Sequence, residues 1–599
     1  MNALKAGRGA LGVVKFKEGA IVDRGNDPVT TTTTAASEPH EEAREDLHAH
    51  SPEAKKLPPV IGKLLSGSFW LALKTPLQAV LSLWTLPLTV QAIGTDGNGA
   101  YGFAWGFGFF QMLFEFGMGS ALQRQVSECW AKGDRAGVDR AIACGMNFYA
   151  AMALVQAAAL LAVAYFAVPH SGYTKVESYN LIIKLLILQA CTAPCYGTSM
   201  VVSCVLQAAR RYDFLPRFEL VVIVARFVVL FVGVQAGVDF FLIVVAQTAL
   251  QIGLTLGPSL WVMSHELGYL PRFRGSRLDD YRPLLHISFY MFLIQISVVL
   301  ADKIDTTILG FALKESGPAT SVYMMVSKPF LQIRQSGWTL AYMVMPAVAS
   351  LIVARDERGL ERIKYDGTRL HVGVLLPVAL SAWVYAAPFL TLWMGDRLGY
   401  DAARVAPLLR LFLIAVIPLV LSVPVQASLG MNRIEVVALA ALGGALVNLP
   451  LSFFLTMKFG VQGVIWGTVL TTLFSNLLIP GVYVFRVLKI DFNTFLKRTL
   501  SAPMAGALAL LVVTALLQWV WPLHPSEKTA ASSLRWLKHA GSQVHLYGFL
   551  VLGGKSLLRW LPLASQVGVG GIAYAAGYLA VPVGRSDYVA IAGKLRRPG

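Results

Sequence analysis

Apolar stretches of about twenty residues recur from Phe69 to Val583, and each is long enough to cross a hydrocarbon core of about 30 Å as a helix. The chain is 55% apolar and only 14% charged, and its mean hydropathy is +0.59. These features predict an all-α polytopic membrane protein. No cleavable signal peptide is expected, because residues 1–60 contain no apolar segment.

The lysine and arginine residues concentrate in alternate loops. The loops at 124–140, 210–217, 272–282, 355–369 and 486–498 and the tail after 594 are basic, whereas the loops at 95–99 and around Gly237 have no Lys or Arg. By the positive-inside rule, the basic side and both termini are cytoplasmic. We therefore expect a multi-pass protein of the cell's inner membrane. The net charge of +17 follows from this topology, and no nucleic-acid partner is predicted.

An internal repeat relates the two halves of the sequence. Gly133-Asp134 in one basic loop corresponds to Asp356 and Gly359 in another, and GVQAGVDFF (233–241) is echoed by KFGVQGVIW (458–466). The offset spans six predicted helices, so both halves have the same orientation in the membrane. Fourteen spans are predicted: 66–91, 101–121, 141–168, 181–207, 218–235, 239–262, 284–310, 319–350, 371–394, 405–429, 434–457, 461–485, 500–521 and 568–583.

These spans divide the chain into four predicted regions. The tail over 1–62 has too few apolar residues to fold alone, so we expect it to be disordered and cytoplasmic. Residues 63–270 form the first six-helix lobe and 271–490 the second. Two further helices lie in 491–599, with an extracytoplasmic interfacial segment over 523–567.

Several charged residues fall inside the predicted spans. A charge near the bilayer centre costs roughly 2.5–3.5 kcal/mol, so each needs a partner, a water-filled cavity or a function. Lys74 and Glu115 have similar predicted depths, which predicts an ion pair between them. For the acids Asp302 and Asp305, structural salt bridging and ion coupling are equally open. The embedded cations are Lys74, Arg226, Lys328 and Arg334, and the embedded acids are Glu115, Asp302 and Asp305.

Two predicted helices have a polar stripe along one face. We expect these stripes to form the polar wall of a cavity, while an ordinary interface between helices is the alternative. Arg334 lies about 120° round its helix from Lys328, so it has no partner within that hairpin. The stripe on the first span comprises Lys74, Gln78, Ser82 and Thr85, and the stripe on the eighth comprises Lys328, Gln332 and Gln335.

Three segments occur in a characteristic order. They are AIGTDGNGAYGFAWG at the start of 92–134, DKIDTTILG at the start of 302–323, and a block over 430–470 that contains NLPLS and GVQGVIWG. Together they resemble the polysaccharide-transport flippases (the Wzx type) of the MOP superfamily, over about residues 66–490.

The resemblance implies two six-helix lobes plus two extra helices, and a function as a flippase rather than an enzyme. Such flippases move a polyprenyl-diphosphate-linked oligosaccharide to the outer leaflet through a cationic cavity between the lobes. Lys74, Arg226, Lys328 and Arg334 match that cavity, with Arg334 the first choice for the diphosphate, since arginine can contact phosphate in a bidentate manner. H⁺ or Na⁺ is the expected coupling ion, with no bound cofactor or metal. Expected partners are the lipid-linked oligosaccharide, membrane lipids, and a polysaccharide polymerase or glycosyltransferases.

Three other functions stay open. A drug exporter of the MATE type would want acids to dominate its cavity, whereas the embedded charges modestly favour an anionic cargo. A lipid II flippase carries the same diphosphate. A membrane-bound polymerase or glycosyltransferase would place catalytic residues in long outer loops, but the predicted outer loops 92–100, 169–180 and 312–318 are short.

Overall fold

A computed structural model describes residues 59–209, 214–277, 304–342, 344–395, 402–431, 435–520 and 545–595, together with isolated residues between 280 and 296 and Arg433. Nearly all of this part of the chain is helical, and it contains no strand. Residues 1–58 of the predicted tail and Asp302 lie outside the described residues, whereas residues 59–62, also predicted to be disordered, begin the first helix.

The helices fall into three groups along the chain. We call α1–α7 the first half, α8–α18 the second half and α19–α22 the C-terminal helices. The first half comprises α1 (Pro59–Gly106), α2 (Phe109–Phe114), α3 (Met118–Ala131), α4 (Arg135–Ala162), α5 (Val176–Ala208), α6 (Phe214–Gln235) and α7 (Phe240–Trp261).

The second half has more and shorter helices, several of them joined by π or 3-10 turns. It comprises α8 (Asp305–Ala312), α9 (Ser316–Tyr342), α10 (Val344–Val353), α11 (Glu357–Arg362), α12 (Thr368–Val384), α13 (Ala386–Met394), α14 (Ala402–Leu413), α15 (Ser422–Gly430), α16 (Glu435–Phe459), α17 (Val461–Thr472) and α18 (Ile479–Val487). The C-terminal helices are α19 (Phe492–Thr494), α20 (Ser501–Val520), α21 (His545–Ala580) and α22 (Pro582–Leu595).

Ten helical segments of the described residues are long and apolar enough to cross a membrane, and an eleventh forms if the bent pair Trp560–Ala580 and Pro582–Val589 is one span. The predicted all-α membrane fold is thus confirmed, whereas the count of fourteen is not established. One reason is that most of the seventh predicted span, 284–310, lies outside the described residues. Another is that α1 runs through the first predicted span and into the second, kinked at Gly94, whose φ of 68° favours glycine.

The internal repeat is visible in the backbone. Asp134 caps the N-terminus of α4, and Asp356 caps that of α11; each carboxylate accepts a hydrogen bond from the glycine N–H three residues on, at 2.8 and 2.9 Å. The residue before each cap has a left-handed conformation, with φ of 69° at Gly133 and 54° at Arg355. The same turn therefore recurs about 222 residues later in the chain.

The C-terminal helices pack on the second half. Leu376 and Leu380 of α12 contact the cluster in which α20 and α21 meet. A buried ion pair joins α12 to α22, since Arg369 Nε donates to Asp587 Oδ2 at 2.7 Å. Tyr578 Oη donates to the same carboxylate at 2.6 Å. α21 continues without a break from the predicted interfacial segment into the last predicted span.

Candidate functional site

The two predicted polar stripes meet where α1 contacts α9. Gln332 Nε2 of the second half donates a hydrogen bond to Ser82 Oγ of the first half at 2.9 Å. One residue further along α1, the Leu83 carbonyl oxygen accepts a hydrogen bond of 2.8 Å from Trp393 Nε1. The halves thus touch through polar groups at this level of the molecule.

The other members of the stripes lie further along the same two helices. Ser82 and Thr85 donate their hydroxyl protons to carbonyl oxygens of their own helix, at 2.9 and 2.7 Å, which satisfies them within an apolar environment. Their oxygen lone pairs stay available as acceptors, and Ser82 uses one for Gln332. Gln78 is half-buried and Gln335 is exposed.

Lys74 is ion-paired with Glu219 of α6, at 2.5 Å between Nζ and Oε2. The predicted Lys74–Glu115 pair is therefore wrong. Its depth estimate assumed one continuous second span, whereas α2 ends just before Glu115 and left-handed conformations follow at Phe116 (φ 54°) and Gly117 (φ 68°). The break turns Glu115 toward α4 and α5, where it borders a cavity. No local pattern distinguished Glu219 as the partner.

Arg226 lies within the first half. Its guanidinium Nη1 donates to Gln251 Oε1 of α7 at 2.7 Å, and Gln247 donates to its backbone oxygen at 2.8 Å. Tyr101 and Tyr196 are within electrostatic range of its charge. Its surroundings are thus formed by α1, α5 and α7.

The two cations of α9 are both half-buried. The Arg334 guanidinium carbon lies 5.5 Å from the centroid of the Phe330 ring. Arg334 also lines a cavity of about 50 Å³ together with Ser422, Thr472 and Asn476 of the second half. A space of this size holds a few water molecules and is too small for a diphosphate. In this conformation Arg334 faces the interior of the second half, and its predicted substrate contact stays a prediction.

Asp305 is 3% exposed and begins α8. Its Oδ2 accepts hydrogen bonds from Tyr323 Oη at 2.7 Å and from Thr468 Oγ1 at 2.9 Å. These hydroxyls come from α9 and α17, so the carboxylate sits where three helices meet. The carboxylate and both hydroxyls are oxygen groups, and oxygen is the ligand atom that hard cations such as Ca²⁺ and Mg²⁺ prefer.

A second oxygen cluster lies on α16 and α17. Asn448 Oδ1 accepts hydrogen bonds from Ser452 Oγ at 2.8 Å and from Thr471 Oγ1 at 3.2 Å. Among the described residues there is no group of three or more His, Cys, Asp or Glu side chains that could hold a metal ion. The polar groups around Asp305 and Asn448 are therefore one carboxylate, one amide and several hydroxyls, which bond to one another.

The halves are in close contact at the end that carries the predicted outer loops. A Cβ on Gly99 would lie 1.9 Å from the carbonyl oxygen of Gly317, so only glycine fits there. Asn98 donates to Ser321 Oγ at 2.8 Å, and Tyr173 Oη donates to Thr320 Oγ1 at 3.1 Å. These contacts close the space between the halves at this end.

Comparison of the sequence with known families identifies residues 64–354 as a match to the family described as "Polysaccharide biosynthesis protein". A relative is the uncharacterized membrane protein EpsK of Bacillus subtilis (strain 168), which is 24% identical over 238 residues. That match covers 38% of this chain and 45% of the relative, so the chain aligns with less than half of the relative's length.

Solved structures share the fold at low identity. The lipid II flippase MurJ in an inward closed conformation has a TM-score of 0.57 and 14% identity, over 84% of this chain and 98% of that one. An inward-facing multidrug resistance MATE family transporter of the MOP superfamily has a TM-score of 0.53 and 13% identity, over 69% and 95%. The chain thus shares the fold of these two membrane proteins, and its residues 64–354, just under half of the chain, match the family described as "Polysaccharide biosynthesis protein".

Proposed function

We propose that this protein moves a polyprenyl-diphosphate-linked oligosaccharide from the cytoplasmic to the outer leaflet by alternating access. The observation that carries the proposal is the Gln332–Ser82 hydrogen bond between the halves of a MOP fold. Polar groups within a membrane are costly unless they are paired or lie beside water. A polar contact between two halves, flanked by lysines, therefore suits a hydroxylated and anionic cargo better than an apolar one.

The diphosphate is proposed to interact with Lys74 and with the α9 cations Lys328 and Arg334, and Arg226 is a further candidate. Lys74 has a role in the empty protein too, since Glu219 balances its charge. A buried charge left without a partner is strongly unfavourable. Exchanging the carboxylate for a diphosphate keeps the ammonium compensated both before and after loading.

Closure at the predicted outer end supports loading from the cytoplasmic side in this conformation. Opening the contact between Gly99 and Gly317 would then release the cargo into the outer leaflet. We propose the inner membrane as the location, with both termini cytoplasmic. Glycosyltransferases would supply the substrate, and a polysaccharide polymerase would consume the product.

Asp305 is proposed as the residue that couples flipping to an ion. Its carboxylate is buried and accepts two hydroxyl hydrogen bonds, and it could hold a proton or a Na⁺ ion there. Binding either one neutralises a buried charge where α8, α9 and α17 meet. Such a change would favour one packing of the second half over another, which is how a coupled ion shifts a conformational equilibrium.

The test is flipping by the full-length protein in liposomes that contain a labelled polyprenyl-diphosphate oligosaccharide. The amount of sugar accessible to an impermeant lectin is measured over time. We expect wild type and Lys458→Ala, which changes an exposed lysine at the end of α16, to flip the lipid. Lys74→Ala and Lys328→Ala should lose most of the activity. If wild type leaves the lipid where it was inserted, the proposed function is wrong.

A lipid II flippase is the second candidate, favoured by the fold shared with a protein of that name. The same liposomes with lipid II in place of the oligosaccharide lipid distinguish the two cargoes. Faster flipping of lipid II would decide for the alternative. A MATE-type exporter would instead transport a cationic drug and move neither lipid.

A further inference from the structure

The first half contains a cavity of about 230 Å³ between α2, α4 and α5. It is smaller than the roughly 300–1,000 Å³ of pockets that bind drug-sized ligands, and it is on the scale of one sugar ring. Its walls combine aromatic rings with neutral hydrogen-bonding groups around one acid. The lining residues that matter here are Glu115, Tyr149, Gln156, Tyr196, Ser199 and Ser203.

Two polar side chains in this cavity are more than nine-tenths buried. Tyr149 and Gln156 are each 7% exposed and lie two turns apart on α4. Within the described part of the chain the Tyr149 hydroxyl has no hydrogen-bond partner, and no hydrogen bond joins the Gln156 amide to another described side chain. A buried polar group without a partner costs free energy, and buried polar groups are normally satisfied. A bound molecule with several hydroxyl groups would give the Tyr149 hydroxyl a partner and could bond to the Gln156 amide as well.

Close packing of helices creates this arrangement. A Cβ on Gly119 would lie 2.6 Å from Glu115 Oε1 and 3.5 Å from Tyr149 Oη, so both polar atoms converge on the space left by this glycine. A Cβ on Gly197 would lie 2.8 Å from the Tyr149 Cβ, so α5 approaches α4 closely at that level. The tyrosine is thereby held with its hydroxyl at the cavity wall.

We propose that this cavity is a sugar subsite that holds one neutral, polyhydroxylated ring of the cargo. The inference rests on the proposed function and specifies where the saccharide binds. The Tyr149 and Tyr196 rings offer apolar faces to a sugar ring, and the amide and hydroxyl groups offer donors and acceptors. Glu115 accepts from a sugar hydroxyl and repels a diphosphate, so the two parts of the cargo bind at separate places.

The position of the cavity fits this separation. Tyr196 lines the cavity and is also within electrostatic range of Arg226, so Tyr196 lies between the cavity and a cation that could meet the diphosphate. Ser203 is five residues before the end of α5 at Ala208, on the side of the predicted basic loops. The cavity therefore extends from the middle of α5, at Ala193, toward the side from which the cargo is proposed to load.

The experiment compares two probes on the purified full-length protein: polyprenyl diphosphate, and the same lipid carrying one neutral hexose. Tyr149→Phe and Gln156→Leu remove the hydrogen-bonding groups, and Tyr165→Phe is the matched control, because Tyr165 follows α4 and is 61% exposed. We expect Tyr149→Phe and Gln156→Leu each to weaken binding of the hexose-bearing lipid about fivefold to tenfold, as loss of one hydrogen bond does. Binding of the sugar-free lipid should be unchanged, and the control should match wild type with both probes.

The outcomes separate this inference from the proposed function. If wild type binds both lipids but the variants weaken them equally or not at all, the sugar subsite is overturned while the flippase proposal stands. If wild type binds neither diphosphate lipid, the proposed function itself fails, and the subsite with it. If tetramethylammonium raises the unfolding temperature of wild type but not of Glu115→Gln, the cavity is a cation site and the inference is overturned.

Discussion

The two halves share a backbone repeat but hold their acids differently. In the first half Glu115 borders a cavity of about 230 Å³ beside the Tyr149 hydroxyl, which has no hydrogen-bond partner among the described residues. In the second half Asp305 is buried and accepts two hydroxyl hydrogen bonds, and the cavity beside Arg334 is only about 50 Å³. The cavity beside Glu115 thus has room for a molecule, whereas the space beside Arg334 has room for a few waters or a small ion.

This difference shows that the two halves share their backbone turns but not the side chains that line their cavities. The turns that begin α4 and α11 are the same in both halves, because an aspartate cap needs only the local chain. The cavity of each half is lined by side chains from several helices, and a repeat of the turns does not preserve those side chains. The proposed functions of the halves follow from these side chains rather than from the shared turns.

The largest expected effect compares two positions about 222 residues apart, Asn147 of α4 and Arg369 of α12. Arg369→Ala leaves the Asp587 carboxylate buried without its cation, which should destabilise the protein by about 3–5 kcal/mol. Asn147→Ala removes hydrogen bonds to Phe273 and Ser276 and should cost about 1 kcal/mol. Thermal unfolding of the purified variants measures both. Equal losses would show that the C-terminal helices do not depend on the buried pair.

The second prediction compares the acids themselves. Asp305→Leu removes the acceptor of the Tyr323 and Thr468 hydroxyls and should destabilise the second half by about 2–4 kcal/mol. Glu115→Leu changes a half-buried residue at a cavity and should cost about 1 kcal/mol or less. Unfolding temperatures give the comparison.

Flipping under an imposed Na⁺ or pH gradient adds a functional readout to this pair. Only the Asp305 variant should lose its response to the gradient. Loss of the response in Glu115→Leu alone would reverse the proposed roles of the two halves.

The third prediction concerns the place where the halves touch. Gly99→Ala puts a methyl group against the Gly317 backbone and should disfavour the closed arrangement by about 1–3 kcal/mol. Labelling of a cysteine placed at Ser321, in a background without the native cysteines, should therefore increase. Gly253→Ala is the control, since a Cβ there meets no atom within 4 Å. Unchanged labelling in Gly99→Ala would contradict the tight contact at this end.

The smallest expected effect tests the shared turn. Arg355 adopts φ of 54° where its counterpart Gly133 has 69°, and a left-handed conformation is unfavourable for a residue with a side chain. Arg355→Gly should therefore stabilise the protein by about 0.5–1 kcal/mol, and Gly133→Ala should destabilise it by about 1 kcal/mol. Unfolding temperatures that move the other way would mean that the two turns are not equivalent.

Features that depend on local periodicity could be predicted from the sequence. The polar faces of α1 and α9 follow from helical spacing, and Ser82 and Gln332, one from each face, do meet. The membrane fold follows from the apolar stretches. The repeat was visible because Asp134 and Asp356 mark the same cap in the two halves.

Features that depend on contacts between distant parts of the chain could not be predicted from the sequence. Lys74 pairs with Glu219 rather than with Glu115, because the helix ends just before Glu115 and turns that side chain away. Nothing in FEFG (114–117) distinguishes this break from a continuous span. Arg369 and Asp587 are 218 residues apart, and no local pattern links them. Tyr149 has the sequence context of an ordinary packed tyrosine, and its role as a cavity wall depends on the glycines of neighbouring helices.

The buried ion pair between Arg369 and Asp587 also determines which part of the protein a fluorophore at the C-terminus would follow. Because α22 is fastened to α12, a fluorophore attached after α22 follows the second half. A second fluorophore in the loop between α3 and α4 follows the first half. Energy transfer between them would measure whether the two halves move relative to each other, as the proposed alternating access requires, without any labelled lipid.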